Sequence, residues 1–388
     1  IMRSTRLGRP VRLLSLGLAA SVAACAVVPR AADDAPTASA VEAPDGPIRA
    51  TPMPSAPLER KKLLSRIVFG SCAQQWADQS IWDRAASEKP SLVLLMGDNV
   101  YGDVRSRDPA LPELKAAYMR LAQSEPFARL RRAAPVLATW DDHDYGDNDA
   151  GADFPLKPQT EALFDYVWAL GSDDPRRAHP GVYGSFIVGP DGRRAQVILL
   201  DTRYFRSPLK PTDLRDARGK ERYLPDEDPT KTMLGDAQWA WLAAELEKPA
   251  DSRILVSSIQ VLADGHGWEA WRTLPREQAK LFETIRASGA KNLVILSGDR
   301  HLGAIYKQTI DGQTIVEATA SSWNAPQSTG RAARGDSYVE PDSNRLGAPV
   351  YDVNYGVLDI DWSARSASIE LRGADGAVLR QESVPFTP

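Results

Sequence analysis

Cysteine is almost missing from this chain: 388 residues contain two, Cys25 and Cys72. Two cysteines cannot staple a small extracellular scaffold, so the fold must rest on a buried apolar core. Charge of one sign is scarce as well. Forty-seven Lys and Arg face 51 Asp and Glu, a net charge of -4, which removes any general basic surface for nucleic acid or anionic lipid and leaves room only for a local basic patch. The most apolar stretch, residues 13–28, falls short of the ~20 residues of a comfortable membrane span. No early strand leads into a Gly-x-Gly-x-x-Gly turn, which disfavours a dinucleotide-binding domain, and no internal repeat recurs. What is present, 43% apolar and 25% charged residues, is ordinary globular composition, long enough for one large α/β domain or two modest ones.

Arg3, Arg6, Arg9 and Arg12 precede the 13–28 run, so residues 1–28 read as an export signal rather than a buried first helix. Within it, Val22-Ala23-Ala24-Cys25 resembles the lipobox of bacterial lipoproteins and makes Cys25 a candidate lipidation site; the leader has no Arg-Arg pair for the twin-arginine route. Residues 29–60, dominated by Ala, Pro, Asp, Ser, Thr and Glu, are expected to form a flexible tether or a short extension lying across the domain that follows at 61–388. The expected location is extracytoplasmic, periplasmic or lipid-anchored in a bacterial envelope. Cys72 would then be a lone thiol in an oxidising compartment, protected by burial or by a metal.

Apolar runs at 67–69, 92–96, 136–140, 197–200, 254–259 and 293–296 predict strands, and helices are expected at 80–87, 112–130, 160–170, 235–247 and 276–288. This alternation predicts an α/β domain. Further strands are expected at 314–320 and 353–360, with a hairpin over 367–372 and 378–380 pairing a sheet edge. Residues 207–231 and 327–349 are expected as two long surface loops and candidate rims of a site.

The strands end in polar tips: Gly70-Ser71-Cys72, Gly97-Asp98-Asn99-Val100-Tyr101, Trp140-Asp141-Asp142-His143-Asp144 running on to Asn148, and Ser297-Gly298-Asp299-Arg300-His301. In open α/β sheets ligands bind beyond the carboxyl ends of the strands. Only four histidines occur, and His143 and His301 lie inside these acidic clusters. Carboxylates so close together repel unless a polyvalent cation neutralises them, and hard cations favour such oxygen ligands. Any one of these residues could be a loop cap; acidic groups at successive strand tips point to a metal centre.

With these motifs in this order, the sequence resembles the PhoD-like alkaline phosphatases within the calcineurin-like metallophosphoesterases, over residues 67–359. The resemblance implies a four-layer α/β/β/α sandwich with a multinuclear metal centre in its loops. Asp98 would bridge two metals; Cys72 and Tyr101 with His301 would bind ferric iron; Asp142, Asn148 and Asp299, with Asp141 beside them, would hold calcium or another divalent ion such as Co, Mn, Mg or Zn. Thiolate and phenolate suit trivalent iron better than calcium, and oxygen-only ligands suit the neighbouring site.

The implied activity is metal-dependent hydrolysis of small phosphate esters by in-line attack of water, as an alkaline phosphomonoesterase with phosphodiesterase activity. A phospholipase-type diesterase and a non-catalytic calcium-dependent envelope module are the competing readings. His143 is the candidate acid for the leaving alcohol. Arg203 and Arg300 are either clamps for phosphoryl oxygens or salt bridges to the carboxylates. Trp268, Trp271 and Trp323 either form an aromatic substrate wall or pack loops, and His266 is a candidate metal ligand set some way beyond the end of its strand. No specific nucleic acid binding and no obligate protein partner are expected. Two departures accompany the resemblance: the best-known PhoD enzymes carry a β-rich domain where this chain has its tether, and they use the twin-arginine route.

Overall fold

The computed structural model describes residues 49–387; the signal segment, Cys25 and residues 29–48 of the tether lie outside the described residues. The chain runs β1 (Arg66–Gly70), α1 (Ile81–Ser87), β2 (Leu92–Met96), α2 (Pro112–Ala122), α3 (Glu125–Ala133), β3 (Val136–Thr139), α4 (Asp142–Tyr145) and α5 (Lys157–Val167). There follow β4 (Gly184–Val188), β5 (Ala195–Leu199), α6 (Gly235–Leu246), β6 (Ser252–Ser257), α7 (Pro275–Ala287) and β7 (Leu293–Ser297). The last part is β8 (Gly303–Ile310), β9 (Gln313–Ala320), α8 (Gln327–Arg334), β10 (Asn354–Asp361), β11 (Ser366–Gly373) and β12 (Val378–Pro385).

These strands build two six-stranded sheets, ordered β12-β11-β10-β1-β2-β3 and β4-β5-β6-β7-β9-β8. In the first, β1, β2 and β3 are parallel, and β10, β11 and β12 add antiparallel to the β1 edge. In the second, β5, β6, β7 and β9 are parallel, with β4 and β8 antiparallel at the two edges. The strands β2, β5, β6 and β7 are buried at every position, which is why they read as unbroken apolar runs rather than alternations.

Three hydrophobic clusters define the layers. Trp82, Phe127 and Leu163 seal α1, α3 and α5 against one face of the first sheet. Phe69, Leu94, Leu296 and Ile369 fill the space between the sheets. Leu242 and Leu281 pack α6 and α7 on the outer face of the second sheet with Ile295. Helices, two sheets and helices make the expected four-layer sandwich; truncating a residue such as Leu94 to Ala in its middle should cost about 2–5 kcal/mol.

Local chemistry accounts for the differences from the expected elements. The single helix expected over 112–130 is two, because Gln123 closes α2 and Ser124 restarts the chain as an N-cap, its Oγ accepting from Phe127 N–H at 3.4 Å with Pro126 in the first turn. Strands β4 and β8 went unread; β8 meets β9 through Asp311-Gly312, both with positive φ (49° and 82°), a hairpin signal that the sequence does carry. The second expected loop opens with α8. Residues near Met53 are not a free tether. Met53 is 1% exposed, its N–H donates to Val167 O (2.7 Å), and Arg131 Nη1 donates to Pro54 O (2.8 Å), so the chain lies across the domain before position 61.

The carboxyl ends of both sheets converge on one side. Ser71 N–H donates to Ala320 O (3.0 Å) and Thr139 Oγ1 to Leu200 O (3.0 Å), so the polar tips meet across the sandwich, while Gly298 N–H donates to Ser258 O (3.0 Å) within the second sheet.

Candidate metal centre

The tips are shaped by unusual backbone. Cys72, Asp98, Asp299 and His301 all have left-handed φ values, 61°, 50°, 71° and 53°, which cost non-glycine residues energy and concentrate at functional sites. Ahead of Asp98, Gly97 has φ 103°, and a Cβ there would stand 2.5 Å from Asp141 Cβ, so only glycine lets the two tips approach. Asp144 braces the arrangement. Its Oδ1 accepts from the N–H groups of Asp98 (3.1 Å) and Asp141 (2.6 Å), and its Oδ2 from Asn99 N–H (3.2 Å) and Asn99 Nδ2 (2.6 Å).

The side chains that result form three overlapping groups whose ligand atoms lie within 4.8 Å of one another: Cys72, Asp98 and His301; Asp98, Asp142 and His143; Asp141, Asp142 and Asp299. Asp98 is common to the first two groups and Asp142 to the last two. Cys72 Sγ lies 3.5 Å from Asp98 Oδ2, and Tyr101 Oη 2.8 Å from His301 Nε2, which brings the phenol to the first group. Cys72, Asp98, Asp141 and Asp142 are buried, whereas Tyr101, His143, Asp299 and His301 are half-buried at the opening.

Burial and mutual repulsion govern the charges. Burial, then the Asp142 charge, pushes the Asp98 carboxyl well above the usual range; burial and Asp141 do the same to Asp299. Asp141 is pushed up to about 8 by burial against the pull of Arg203. Burial acts upward on Asp142 too, but His143 and Arg203 hold it below the ordinary carboxylate range. The Cys72 thiol rises to about 12 and the His301 imidazole falls to about 4, both from burial. His143 sits well above its ordinary value because Asp142 and Asp98 outweigh the burial that acts downward. Such a set holds its full negative charge only around positive charge, and Asp141 Oδ2 is buried with no hydrogen-bond partner among the described residues. The donor chemistry fits polyvalent cations: sulfur, phenol and imidazole at one end, carboxylate oxygens at the other.

The model of the PhoD-like phosphatases matches residues 67–370, most of the chain. The chain belongs to the PhoD-like phosphatase family. With the clustered ligand groups, membership makes it a metal-dependent phosphoesterase acting on phosphate esters. A solved structure of PhoD superposes with a TM-score of 0.55 at 17% identity, covering 87% of this chain and 74% of that one, a likeness of fold. A double mutant of Vps29 from Entamoeba histolytica also aligns, at 13% identity over 83% of this chain and 99% of that one, but its TM-score of 0.26 carries no argument. No curated protein matches the sequence.

Other expected residues of this PhoD-like site fall elsewhere. Arg203 is not an open phosphoryl clamp: it is 0% exposed and held between Asp141 Oδ1 (2.5 Å) and Glu269 Oε2 (2.6 Å), the salt-bridge alternative. Arg300 is likewise buried and bonded to Glu340 (2.8 Å) and Gln260 (3.3 Å). Trp271 and Trp323 form no wall, because both are core side chains, one against Trp239 and the other stacked on Tyr355. Trp268 alone of the three is half-buried, with the Arg222 and Arg300 guanidinium groups over its ring at 4.7 and 5.8 Å. Asn148 is exposed. The neighbouring Asp149 N–H, rather than a side chain, reaches Asp142 Oδ2 at 2.8 Å. His266 is committed to the scaffold: Nδ1 accepts from Trp268 N–H (3.1 Å), Nε2 donates to Gln260 Oε1 (3.0 Å), and burial depresses its pKa.

Sequence reasoning missed Asp103, whose Oδ1 lies 2.8 Å from His143 Nδ1, and Glu269, the partner of Arg203 and of Arg206 (2.9 Å). Asp103 carried a signal, an acid two residues beyond Tyr101; Glu269 carried none, since it comes from a loop remote in sequence.

Proposed function

We propose that this chain is an extracytoplasmic phosphomonoesterase with secondary activity on diesters. The observation that supports it most is the sharing of Asp98 between two chemically unlike donor groups, one containing Cys72 and His301 and the other Asp142 and His143. Cys72, Tyr101, His301 and Asp98 would hold ferric iron; Asp98, Asp142 and Asp299, with Asp141, would hold calcium or another divalent ion. Cations there would supply positive charge to the phosphoryl oxygens and promote ionisation of water.

The chain's own residues do the rest. Asp103 fixes the His143 ring through Nδ1, leaving Nε2 to deliver a proton to the departing oxygen. Asp144 holds the amides of Asp98 and Asp141 in register. Arg203 keeps Asp141 in place and balances part of the buried negative charge. Among the described residues no helix is long and apolar enough to cross a membrane, so attachment to an envelope would depend on the N-terminal segment.

The test is metal content of protein purified without added metal, measured alongside initial rates on p-nitrophenyl phosphate and bis-p-nitrophenyl phosphate. Iron with a divalent ion, and monoester turnover that is lost together with the iron in Cys72→Ala, is the expected result. Turnover confined to the diester would favour a phospholipase-type enzyme. No bound metal and no turnover after adding back calcium, iron, cobalt and manganese would overturn the proposal in favour of a binding module.

A further inference from the structure

Of the ten tryptophans in the chain, eight belong to the three hydrophobic clusters or pack against them. Trp76 and Trp268 do not, and both stand at the metal-binding tips. Trp268 is engaged by two guanidinium groups. Trp76 is half-buried, its indole N–H has no hydrogen-bond partner among the described residues, and its ring meets Tyr101 edge-on at 5.8 Å and 62°. Among the described residues the other rings on Tyr101 are His143 (4.4 Å between ring centroids) and His301 (6.0 Å). Thus the ring that stands among the half-buried groups at the opening carries, on different contacts, the proposed proton donor and a tryptophan with no role in the core.

The loop bearing Trp76 is held firmly. Gln75 clamps the Tyr101 backbone in both directions, donating Nε2 to Tyr101 O (2.9 Å) and accepting from Tyr101 N–H at Oε1 (2.9 Å). Asn324 does the same for Gln74, accepting from its N–H at 2.7 Å and donating to its O at 3.1 Å. A half-buried indole on a loop whose two preceding residues are fixed loses little freedom when a ligand covers it, which is the condition for a binding platform.

We infer that Trp76 is the platform for the leaving group and selects phosphate esters whose leaving group carries a planar aromatic ring, a nucleoside or an aryl alcohol. This rests on the phosphatase reading. An oxygen that takes its proton from His143 departs beside Tyr101, and the organic group attached to it lies against the indole. Aromatic rings gain by stacking on or edging a tryptophan; a small polyol offers no such face.

Adenosine monophosphate and ribose phosphate, both esterified at the primary ribose hydroxyl, share the same leaving oxygen and differ in the base. Phosphate release from the two by the metal-loaded full chain is compared with that of Trp76→Ala, Trp76→Phe and Trp76→Leu. The expected result is a loss of about tenfold in kcat/KM on the nucleotide in Trp76→Ala, carried mainly by KM, with less than about a twofold change on ribose phosphate. Trp76→Phe should recover most of the loss, and Trp76→Leu, which keeps bulk without a π face and guards against misfolding of the alanine variant, should not. Quenching of tryptophan fluorescence by adenosine should be weaker in Trp76→Phe. Equal losses on both esters, or none on either, would overturn the platform while leaving the phosphatase reading intact; no phosphate release from either ester by the wild type would overturn both.

Discussion

Replacing Glu269 by Ala tests whether Arg203 is a counter-ion or a substrate clamp. Arg203 and Arg206 are 0% and 1% exposed; among the described residues their ion-pair partners are Asp141 and Glu269, at 2.5, 2.6 and 2.9 Å, beside the carbonyls of Ala150, Ser207 and Asp149. Glu269 is the carboxylate that both buried guanidinium groups share, and Glu269→Ala takes it from both. Removing one member of a buried ion pair costs about 3–5 kcal/mol, because the remaining charge keeps its desolvation penalty without compensation. At about 2 °C per kcal/mol for a large domain, Tm should fall by roughly 6–10 °C. Glu269→Gln, which keeps acceptor and shape, should lose less. Calorimetry and urea titration of the metal-loaded protein give the stabilities, and steady-state rates on p-nitrophenyl phosphate give KM. If Arg203 is a counter-ion, Arg203→Met in the Glu269→Ala background should cost less than the sum of the two single changes. A Glu269→Ala protein melting within about 1 °C of wild type, with Arg203→Met raising KM at unchanged Tm, would refute this and restore Arg203 as a phosphoryl clamp.

Three more outcomes are expected. His143→Asn should lower kcat by about 10²–10⁴-fold with little effect on KM for p-nitrophenyl phosphate, and Asp103→Asn should show a smaller loss of the same kind; a KM effect alone would place His143 in binding rather than proton transfer. Glu317 is buried, with its carboxyl raised from an ordinary 4.5 to about 7 by burial against bonds from Ser297, Leu262 and Val261. The native state therefore binds the extra proton, so the stability from this group is complete below about pH 4.5 and falls by about 3 kcal/mol as pH rises through 7. In Glu317→Gln the Tm difference between pH 5 and pH 8 should shrink, and an unchanged difference would show that Glu317 is ionised throughout. Gly97→Ala must push Asp141 away from Asp98, so metal content should drop with only modest loss of secondary structure by circular dichroism; retained metal would show that the tips can separate without cost.

The legible parts of the sequence were those with local causes. Runs such as 92–96 and 293–297 are apolar at every position because they lie in sheets covered on both faces, and burial leaves that mark whatever the partner strand. The acidic tips were legible because unpaired carboxylates at the ends of three strands have no stabilising role without a cation. Gly97 and Asp144 were visible as residues, but their work depends on β2 and β3 lying side by side: the glycine clears space for Asp141, and the aspartate collects amides from two tips. Strand β8 was hidden because its outer half is exposed and its sequence mixes polar and apolar residues.

Tertiary structure alone decided the fate of the long side chains. Nothing local to Arg203, Trp271 or Trp323 tells whether it faces a substrate or the core, since a guanidinium or an indole suits either place. The choice fell to Glu269, Trp239 and Tyr355, supplied by other segments. Trp76 shows the converse. Its neighbours in sequence are unremarkable, and it stands at the site only because Gln75 and Asn324 fix its loop beside Tyr101, one from the adjacent position and one from the segment after β9 in the other sheet. Which residue types meet a metal was written in the chain; which aromatic and basic groups surround them was set by packing, because packing brings together residues that no local pattern relates.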